Sequence, residues 1–467
     1  MRAGQFGQAA SVLLRAGTAP HLPERDLRRL DSQIEGCLDP RIGEVVARLR
    51  AGEVAVRYAT LDQMGRQRFF RHLADRYGID VGAATQAAAA FQIASQQFTT
   101  EDPPRAVGSA GLPLETTRGK LRDTLQARWD RLFQLFCSLD GGVKLAVDLR
   151  ADLLEELSSS PELAPLEADL HRTLASLFNI GLLNLRTVTW DTPASFLEKL
   201  IRYEAVHEIT SWADLQNRLQ PDRRCYAFVH PGMPDEPLIF VEVALVIGLA
   251  SEIPPLLDQT APVGDPTIAD TAIFYSISAC QPGLAGVNLG DFLIKRVVAD
   301  LSKDLPNLRH FATLSPIPGL RRWIDRLENG PLDALLTSEQ RSALATLDPA
   351  ADTAQVMKGV LARTDWPGDA AANLALRAPL LRLAAHYLTR EPRHGRAEDR
   401  VANFHLTNGA QVERLNWLAN PAPAGLRESA GIMVNYRYDL DRIESNHIGY
   451  VQNGRIRASS SITKLLS

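Results

Sequence analysis

Cysteine is scarce in this chain, and the few cysteines stand far apart. Four of the 467 residues are cysteine, and no two of them form a CxxC pair; they are Cys37, Cys137, Cys225 and Cys280. Zinc sites need Cys or His ligands clustered at close spacing, and secreted disulfide scaffolds are rich in cysteine. The sequence therefore predicts reduced thiols, no metal site and a reducing, cytoplasmic compartment.

Long apolar runs and a large net charge are also missing. The apolar runs are too short to span a bilayer, and no continuous apolar segment follows Arg2 as in a secretory signal. The net charge of −4 does not favour a binder of nucleic acid or of anionic membranes. The C-terminal residues Lys464–Ser467 are not the peroxisomal Ser-Lys-Leu ending. The composition is ordinary for a globular protein, and the chain is long enough for two or three domains.

The first part of the chain has the sequence pattern of helices. Apolar residues recur at intervals of three to five from Leu61 to Tyr77, where Asp62 is a candidate N-cap and Gly78 a candidate stop. Similar periodicity follows between Leu114 and Ile180, and Thr192-Pro193 opens another helix. We therefore predict a helical bundle over residues 1–210, whose aromatic stripes form its core.

Strand patterns begin near Pro221. Predicted strands run over 225–230, 238–247, 271–278, 308–314 and 431–438, and helical patterns occupy about 320–400. This order predicts a mixed α/β or α+β domain over residues 211–467, with a helical insertion at about 320–400.

The sequence contains none of the common phosphate-binding or nucleophile motifs. Walker A, GxGxxG and GxSxG patterns are absent. Instead, the segment Gln281–Gly290 joins a predicted strand to a helix and has glycines at 283, 286 and 290. Such a loop lets backbone N–H groups approach a phosphate, with Lys295 and Arg296 near by on the helix, but it could equally be a turn required by the chain geometry.

Two further residues are candidates for chemistry. Ser315 stands at the end of a predicted strand and precedes Pro316 and Pro318, which cannot continue a strand ladder. It could be a turn residue or a reactive group, and His405 could be a core histidine or its proton-handling partner. We interpret His207 and His230 as structural, and Asp439 and Asp441 as a solvated turn.

Several segments, in order and at similar spacing, resemble the malonyl-CoA decarboxylase family. They are Tyr203–His207, Arg223–Cys225, Pro237–Val243, Ala272–Ser278, Gly283–Val287, Leu293–Val298, Leu314–Gly319, Asn403–Leu406 and Asn435–Tyr438. The resemblance implies a helical N-terminal domain that builds a homo-oligomer, a dimer or a tetramer. It also implies a C-terminal domain with the fold of GNAT-type acetyltransferases.

The resemblance also implies the site residues. The family's serine and histidine fall on Ser315 and His405, and both would contact the acyl end of the substrate. The CoA-binding loop would comprise Ala285, Gly286, Val287, Asn288, Leu289, Gly290 and Asp291. Asn288 stands where the family often has glutamate, so a general base at that position is in question.

The implied reaction converts malonyl-CoA to acetyl-CoA and CO2 without a cofactor, with CoA entering as part of the substrate. His405 would donate to the thioester oxygen or protonate the carbanion, and Ser315 would hold the carboxylate or act as the histidine's partner. Two alternatives are an acyl-CoA-dependent acyltransferase and a non-catalytic acyl-CoA-binding protein. Neither nucleic acid nor a membrane is an expected partner.

Overall fold

The computed structural model describes residues 20–100, 111–287, 289, 293–393 and 395–467. The chain forms two compact units. The first comprises Met1–Leu183, His230–Pro234 and Gln281–Asn288, and the second comprises Asn184–Val229, Asp235–Cys280 and Leu289–Ser467. Residues 184–210 therefore belong with the second unit, whereas the sequence pattern grouped them with the helical part. The sequence analysis missed the strand Asn184–Val188, because the segments around it have helical periodicity.

The first unit is helical, as predicted for the N-terminal region. Its helices are α1 (Glu24–Leu38), α2 (Glu44–Ala59), α3 (Gln63–Arg76), α4 (Val81–Thr100), α5 (Gly111–Thr124), α6 (Arg128–Cys137), α7 (Gly142–Glu156) and α8 (Ala164–Leu177). Helix α3 begins as expected, because the Asp62 side chain accepts a hydrogen bond from the Gly65 N–H. Phe69 and Phe70 are fully buried beneath Tyr58, whereas Met64, part of the same periodic pattern, is exposed.

The segment around Gly283 also belongs to the first unit, and it packs closely on α7. A single 3₁₀ turn, Pro282–Leu284, brings Gly283 so near the helix that a Cβ atom there would lie 1.8 Å from the carbonyl oxygen of Val147. The buried guanidinium of Arg150 donates to the carbonyl oxygens of Gly283 (2.7 Å) and Ala285 (2.8 Å), and it pairs with Glu167. Glycine at 283 is thus required by the close approach of two backbones.

Replacing Gly283 by alanine should therefore strain this packing. We expect Gly283→Ala to lower the free energy of unfolding by about 1–3 kcal/mol, as overpacking usually does. Gly359→Ala is the control, because a Cβ atom there meets nothing within 4 Å and alanine favours the helix Thr353–Ala362. Urea unfolding of both variants measures the difference, and equal stabilities would contradict the close approach.

The second unit is built on an eight-stranded sheet. Its strands are β1 (Asn184–Val188), β2 (Arg223–Val229), β3 (Ile239–Val246), β4 (Thr271–Ala279), β5 (His310–Thr313), β6 (Ser315–Pro316), β9 (Gln411–Asn416) and β10 (Met433–Tyr438). A separate small pair consists of β7 (Pro392–Arg393) and β8 (Arg396–Ala397). The spatial order is β1-β2-β3-β4-β5-β10-β6, and β9 pairs with β10. The strand patterns in the sequence predicted β2, β3, β4, β5 and β10 but not β1, β6 or β9. Strand β6 includes Pro316, which was expected to end the ladder but pairs with Met433 of β10.

Along the chain, helices lie between and after the strands of the sheet. They are α9 (Ala194–Tyr203), α10 (Trp212–Arg218), α11 (Pro254–Leu257), α12 (Leu293–Asp304), α13 (Leu320–Arg326), α14 (Asn329–Leu335), α15 (Ser338–Ala345), α16 (Thr353–Ala362), α17 (Ala370–Arg390), α18 (Arg400–Thr407), α19 (Pro423–Ser429), α20 (Ile443–Asn453) and α21 (Ser460–Thr463). Phe196 and Leu200 of α9 pack against Cys225 and Ala227 of β2, which ties this helix to the sheet. Five helices lie between residues 320 and 390, in the region where the sequence predicts helices.

One pair of neighbouring strands in the sheet is parallel. Neighbouring strands pair antiparallel except for β4 and β5, which pair in parallel and are connected through α12. Their common register ends at Phe274 and Thr313, whereas β4 runs on to Ala279. Opposite the step from Glu242 to Val243, the extra residue Tyr275 forms a bulge in β4, and a bulge bends and twists a strand. The paired part of β4 and β5 therefore ends just before Ser315, and β4 continues beyond it.

Within the part of the chain that the structure describes, no helix combines the length and the hydrophobicity needed to cross a lipid bilayer.

Candidate active site

Ser315 lies where the direction of the chain changes after β5. The strand ends at Thr313, the Leu314 N–H donates to the carbonyl oxygen of Phe274, and Ser315 then pairs with Val434 of β10. Pro316 follows at once and has no N–H to offer to a neighbouring strand. The serine side chain is consequently fixed beside the end of the parallel pair and is almost fully buried.

His405 reaches the same place from a helix. It stands in the last turn of α18, which begins after the N-cap residue Asp399. Its imidazole Nε2 lies 3.1 Å from the Ser315 Oγ, and the histidine is 3% exposed. The structure thus brings together two residues that are 90 positions apart and that the sequence named as a pair.

Two neighbouring hydroxyl groups complete a chain of hydrogen bonds. The Tyr438 hydroxyl lies 2.8 Å from the Nδ1 of His405, and the Ser315 hydroxyl donates to the Thr313 Oγ1 at 2.9 Å. If Ser315 donates to Thr313, it accepts from the histidine's Nε2–H, and Nδ1 then accepts from Tyr438. The proton of a neutral imidazole would therefore sit on Nε2, facing the serine.

A second tyrosine packs on the histidine ring. The rings of Tyr436 and His405 stack with centroids 4.6 Å apart, and the Tyr436 N–H donates to the Thr313 Oγ1. Sequence reasoning assigned no site role to Thr313, Tyr436 or Tyr438. A usable signal was present, because tyrosines two residues apart on a strand point to one face.

Burial sets the charge state of the site. It lowers the pKa of His405 to about 3, so that the imidazole is neutral at physiological pH. Burial also raises the pKa of Tyr438 far above its ordinary value. The hydrogen-bonded group can therefore donate and accept hydrogen bonds without carrying a net charge.

The predicted CoA loop is described only in part. Asn288, Gly290 and Asp291 lie outside the described residues. Gly286 adopts a positive φ of 78°, Val287 is half-buried, and Leu289 is buried. The start of the loop is held by the two hydrogen bonds that Arg150 donates to the carbonyl oxygens of Gly283 and Ala285. Sequence reasoning did not single out Arg150.

The other histidines raised by the sequence have different surroundings. His230 Nδ1 accepts from the Gly232 N–H, and its Nε2 lies 3.2 Å from the carbonyl oxygen of Leu177, which fits a structural role. His207 is buried, and its Nε2 has no hydrogen-bond partner among the described residues. Asp439 and Asp441 lie in a turn, where the Asp439 carboxylate accepts from the Asp441 N–H.

The chain matches models of both domains of one enzyme family. The C-terminal domain of malonyl-CoA decarboxylase matches residues 181–467, and its N-terminal domain matches residues 88–178. The chain belongs to the malonyl-CoA decarboxylase family. The resemblance drawn from the sequence segments is therefore confirmed, and the boundary between the two matches lies close to the division of the units at Leu183.

Individual relatives agree with the family models. The mitochondrial malonyl-CoA decarboxylase of Mus musculus is 39% identical over 409 residues, which cover 85% of this chain and 80% of that protein. The enzyme of the same name from Anser anser anser is 39% identical over 74% of this chain and 71% of its own length.

Solved structures of the family resemble the whole chain. Malonyl-CoA decarboxylase from Rhodopseudomonas palustris has a TM-score of 0.79 and 37% identity, covering 94% of this chain and 99% of that one. The corresponding protein from Agrobacterium vitis has a TM-score of 0.80 at 37% identity, covering 94% and 100%.

The neutral state of His405 has a testable effect on stability. An unfolded histidine has a pKa near 6.5, whereas the folded His405 has a pKa of about 3. Between these values the unfolded chain binds one more proton, so this group makes stability fall as pH drops from about 6.5 toward 3. We expect His405→Asn to flatten that dependence, measured as the free energy of urea unfolding between about pH 7.5 and pH 5.

The exposed His21 provides the control, because its replacement by asparagine should leave the slope as in the unmodified protein. An unchanged slope in His405→Asn would show that the folded imidazole takes up its proton over the same pH range as the unfolded one.

Proposed function

We propose that this protein decarboxylates malonyl-CoA to acetyl-CoA and CO2, using Ser315 and His405. The observation that carries the proposal is the buried 3.1 Å contact between the serine Oγ and the imidazole Nε2. This contact occurs in a chain of the malonyl-CoA decarboxylase family and joins two segments that carry the family resemblance.

We further propose that the second unit has the fold of GNAT-type acetyltransferases. The strand order, the single parallel pair β4–β5 and the helix between these strands support this assignment. In such a domain, the loop after β4 would bind the phosphates of CoA through residues Ala285–Asp291. The positive φ of Gly286 is consistent with a loop whose backbone amides turn toward an anion.

The chemistry requires a place for negative charge. When the bond between the α-carbon and the carboxylate breaks, CO2 leaves. The electron pair of that bond stays on the α-carbon and delocalises onto the thioester oxygen, which gives an enolate. With substrate bound, the His405 Nε2–H would exchange its hydrogen bond to the Ser315 Oγ for one to that oxygen. The Ser315 O–H would likewise turn from the Thr313 Oγ1 to hold the departing carboxylate. A preorganised donor in a buried site is worth a factor of about 10²–10³ in rate. Uptake of one proton from solvent at the α-carbon then gives acetyl-CoA.

Removing either side chain tests this assignment. We expect Ser315→Ala and His405→Ala each to lower kcat by about 10²-fold or more, because each removes a group that contacts the reacting atoms. The assay supplies malonyl-CoA with no acyl acceptor and quantifies acetyl-CoA and CO2. Ser445→Ala, a change of an exposed serine on α20, is the control.

The same assay separates the alternatives. An acyltransferase would consume an acyl-CoA only when an amine acceptor is added, and a non-catalytic protein would bind it without turnover. Wild-type rates in both Ser315→Ala and His405→Ala would contradict the proposed roles even if the protein is a decarboxylase.

Tyr438 should act through the histidine. In Tyr438→Phe the ring remains but the hydroxyl beside Nδ1 is lost, so the imidazole tautomer is less well fixed. We expect kcat to fall by up to about tenfold, which matches the usual worth of one hydrogen bond, about 0.5–1.5 kcal/mol. An unchanged kcat with unchanged folding, monitored by circular dichroism, would show that this hydrogen bond has no role in turnover.

We also propose that the reaction needs no cofactor, because hydrogen bonds in a water-poor site can stabilise an enolate. Undiminished activity after dialysis against a chelator is the expected result. The helical unit is proposed to build a homo-oligomer, a dimer or a tetramer, and light scattering on the purified protein would determine its mass. A cytoplasmic location also remains a proposal.

A further inference from the structure

Asp399 joins the two segments that carry the reactive pair. One carboxylate oxygen, Oδ1, accepts from the N–H groups of Val401 and Ala402 at 3.0 Å each and so caps helix α18. The other oxygen, Oδ2, accepts from the Gly319 N–H at 3.0 Å. A single side chain is therefore bonded to the helix of His405 and to the turn that follows Ser315.

Both connections are short and stiff. Gly319 stands four positions after Ser315, and two of the three residues between them are prolines with fixed φ angles. His405 stands six positions after Asp399, about 9 Å along a helix. A shift at Asp399 would therefore be passed to both partners rather than absorbed by flexible backbone.

Helix capping alone does not explain this residue. Asparagine or serine caps a helix about as well as aspartate, without the cost of burying a carboxylate. Asp399 is only 2% exposed, and burial raises its pKa although three N–H groups oppose the shift. The second oxygen, with its hydrogen bond to Gly319, is the feature that an uncharged cap would not supply.

Gly319 is fitted to this contact. A Cβ atom at this position would lie 2.0 Å from the hydroxyl of Tyr387 and 3.2 Å from the Oδ2 of Asp399. Any larger residue would push the turn away from the carboxylate. The glycine therefore allows the backbone N–H to reach an oxygen on a separate helix.

We propose that Asp399 is a positioning residue that sets the distance between Ser315 and His405 by binding both of their segments. The inference rests on the proposed function for its kinetic consequences. Asp399 contacts neither of the reacting side chains, so its effect on turnover passes through the geometry of the pair.

The decisive variant is Asp399→Asn. An amide has one oxygen, so it can cap α18 or accept from the Gly319 N–H but cannot do both. We expect kcat for malonyl-CoA to fall by about 10- to 100-fold, because misplacement by about 1 Å can reduce rates this much. KM should stay within about twofold, since Asp399 and Gly319 lie outside the proposed CoA loop, Ala285–Asp291.

The matched control is Asp352→Asn. Asp352 is also an N-cap, accepting from the Gln355 N–H at the start of α16, but it is exposed and lies outside the site. Because asparagine caps as well as aspartate, this variant should keep kcat within about twofold. If Asp399→Asn does not fold, Asp399→Ser retains a cap while likewise losing the Gly319 contact.

A double variant separates positioning from general destabilisation. If Asp399 acts only by placing the pair, Ser315→Ala combined with Asp399→Asn should be no slower than Ser315→Ala alone, within about twofold. Multiplied losses in the double variant, or wild-type kcat in a folded Asp399→Asn or Asp399→Ser, would overturn the inference.

A measurement without turnover keeps this inference separate from the proposed function. In protein labelled with ¹⁵N-histidine, the ring resonances of His405, assigned with His405→Asn, should shift in Asp399→Asn but not in Asp352→Asn. Unshifted resonances would overturn the positioning role. An inactive wild-type protein would instead contradict the proposed decarboxylation, whatever the spectra show.

Discussion

The hydrogen bond between Ser315 and His405 depends on the burial of both side chains. In water, an imidazole and a hydroxyl would each exchange partners with solvent and would gain little from meeting. Here both are nearly inaccessible, and burial lowers the histidine pKa to about 3, so the pair is neutral and has few competing partners. The surrounding structure holds two polar groups together in a buried place, where a polar group without a hydrogen-bond partner would destabilise the fold.

The sheet provides one half of this arrangement and helix α18 the other. Ser315 is fixed by the turn of the chain from β5 onto β10, next to the place where the pairing of β4 with β5 ends. His405 comes from α18, which follows the five helices between Leu320 and Arg390. The chain thus returns to Ser315 with His405 only after these helices.

Much of the site could be inferred from sequence, for local reasons. Pro316 and Pro318 lack an N–H and disturb strand pairing in any fold, so the special position of Ser315 was visible in the chain itself. His405 was less visible, because a histidine between Phe404 and Leu406 looks like a core residue. Its pairing with Ser315 came from the family resemblance, and Thr313, Tyr436 and Tyr438 were not assigned to the site because their roles arise from contacts across the sheet.

The sequence by itself determined the helical first part, most strands of the sheet and the family of the chain, because these depend on local periodicity and on segments that can be compared directly. Only the tertiary structure decided that β1 belongs to the sheet, that Arg150 holds the turn at Gly283, and that Asp399 links the segments of Ser315 and His405. Each of these is a hydrogen-bonding relation between distant residues. Which polar groups form a hydrogen bond depends on how the folded chain brings distant residues together, and the local sequence does not contain that information.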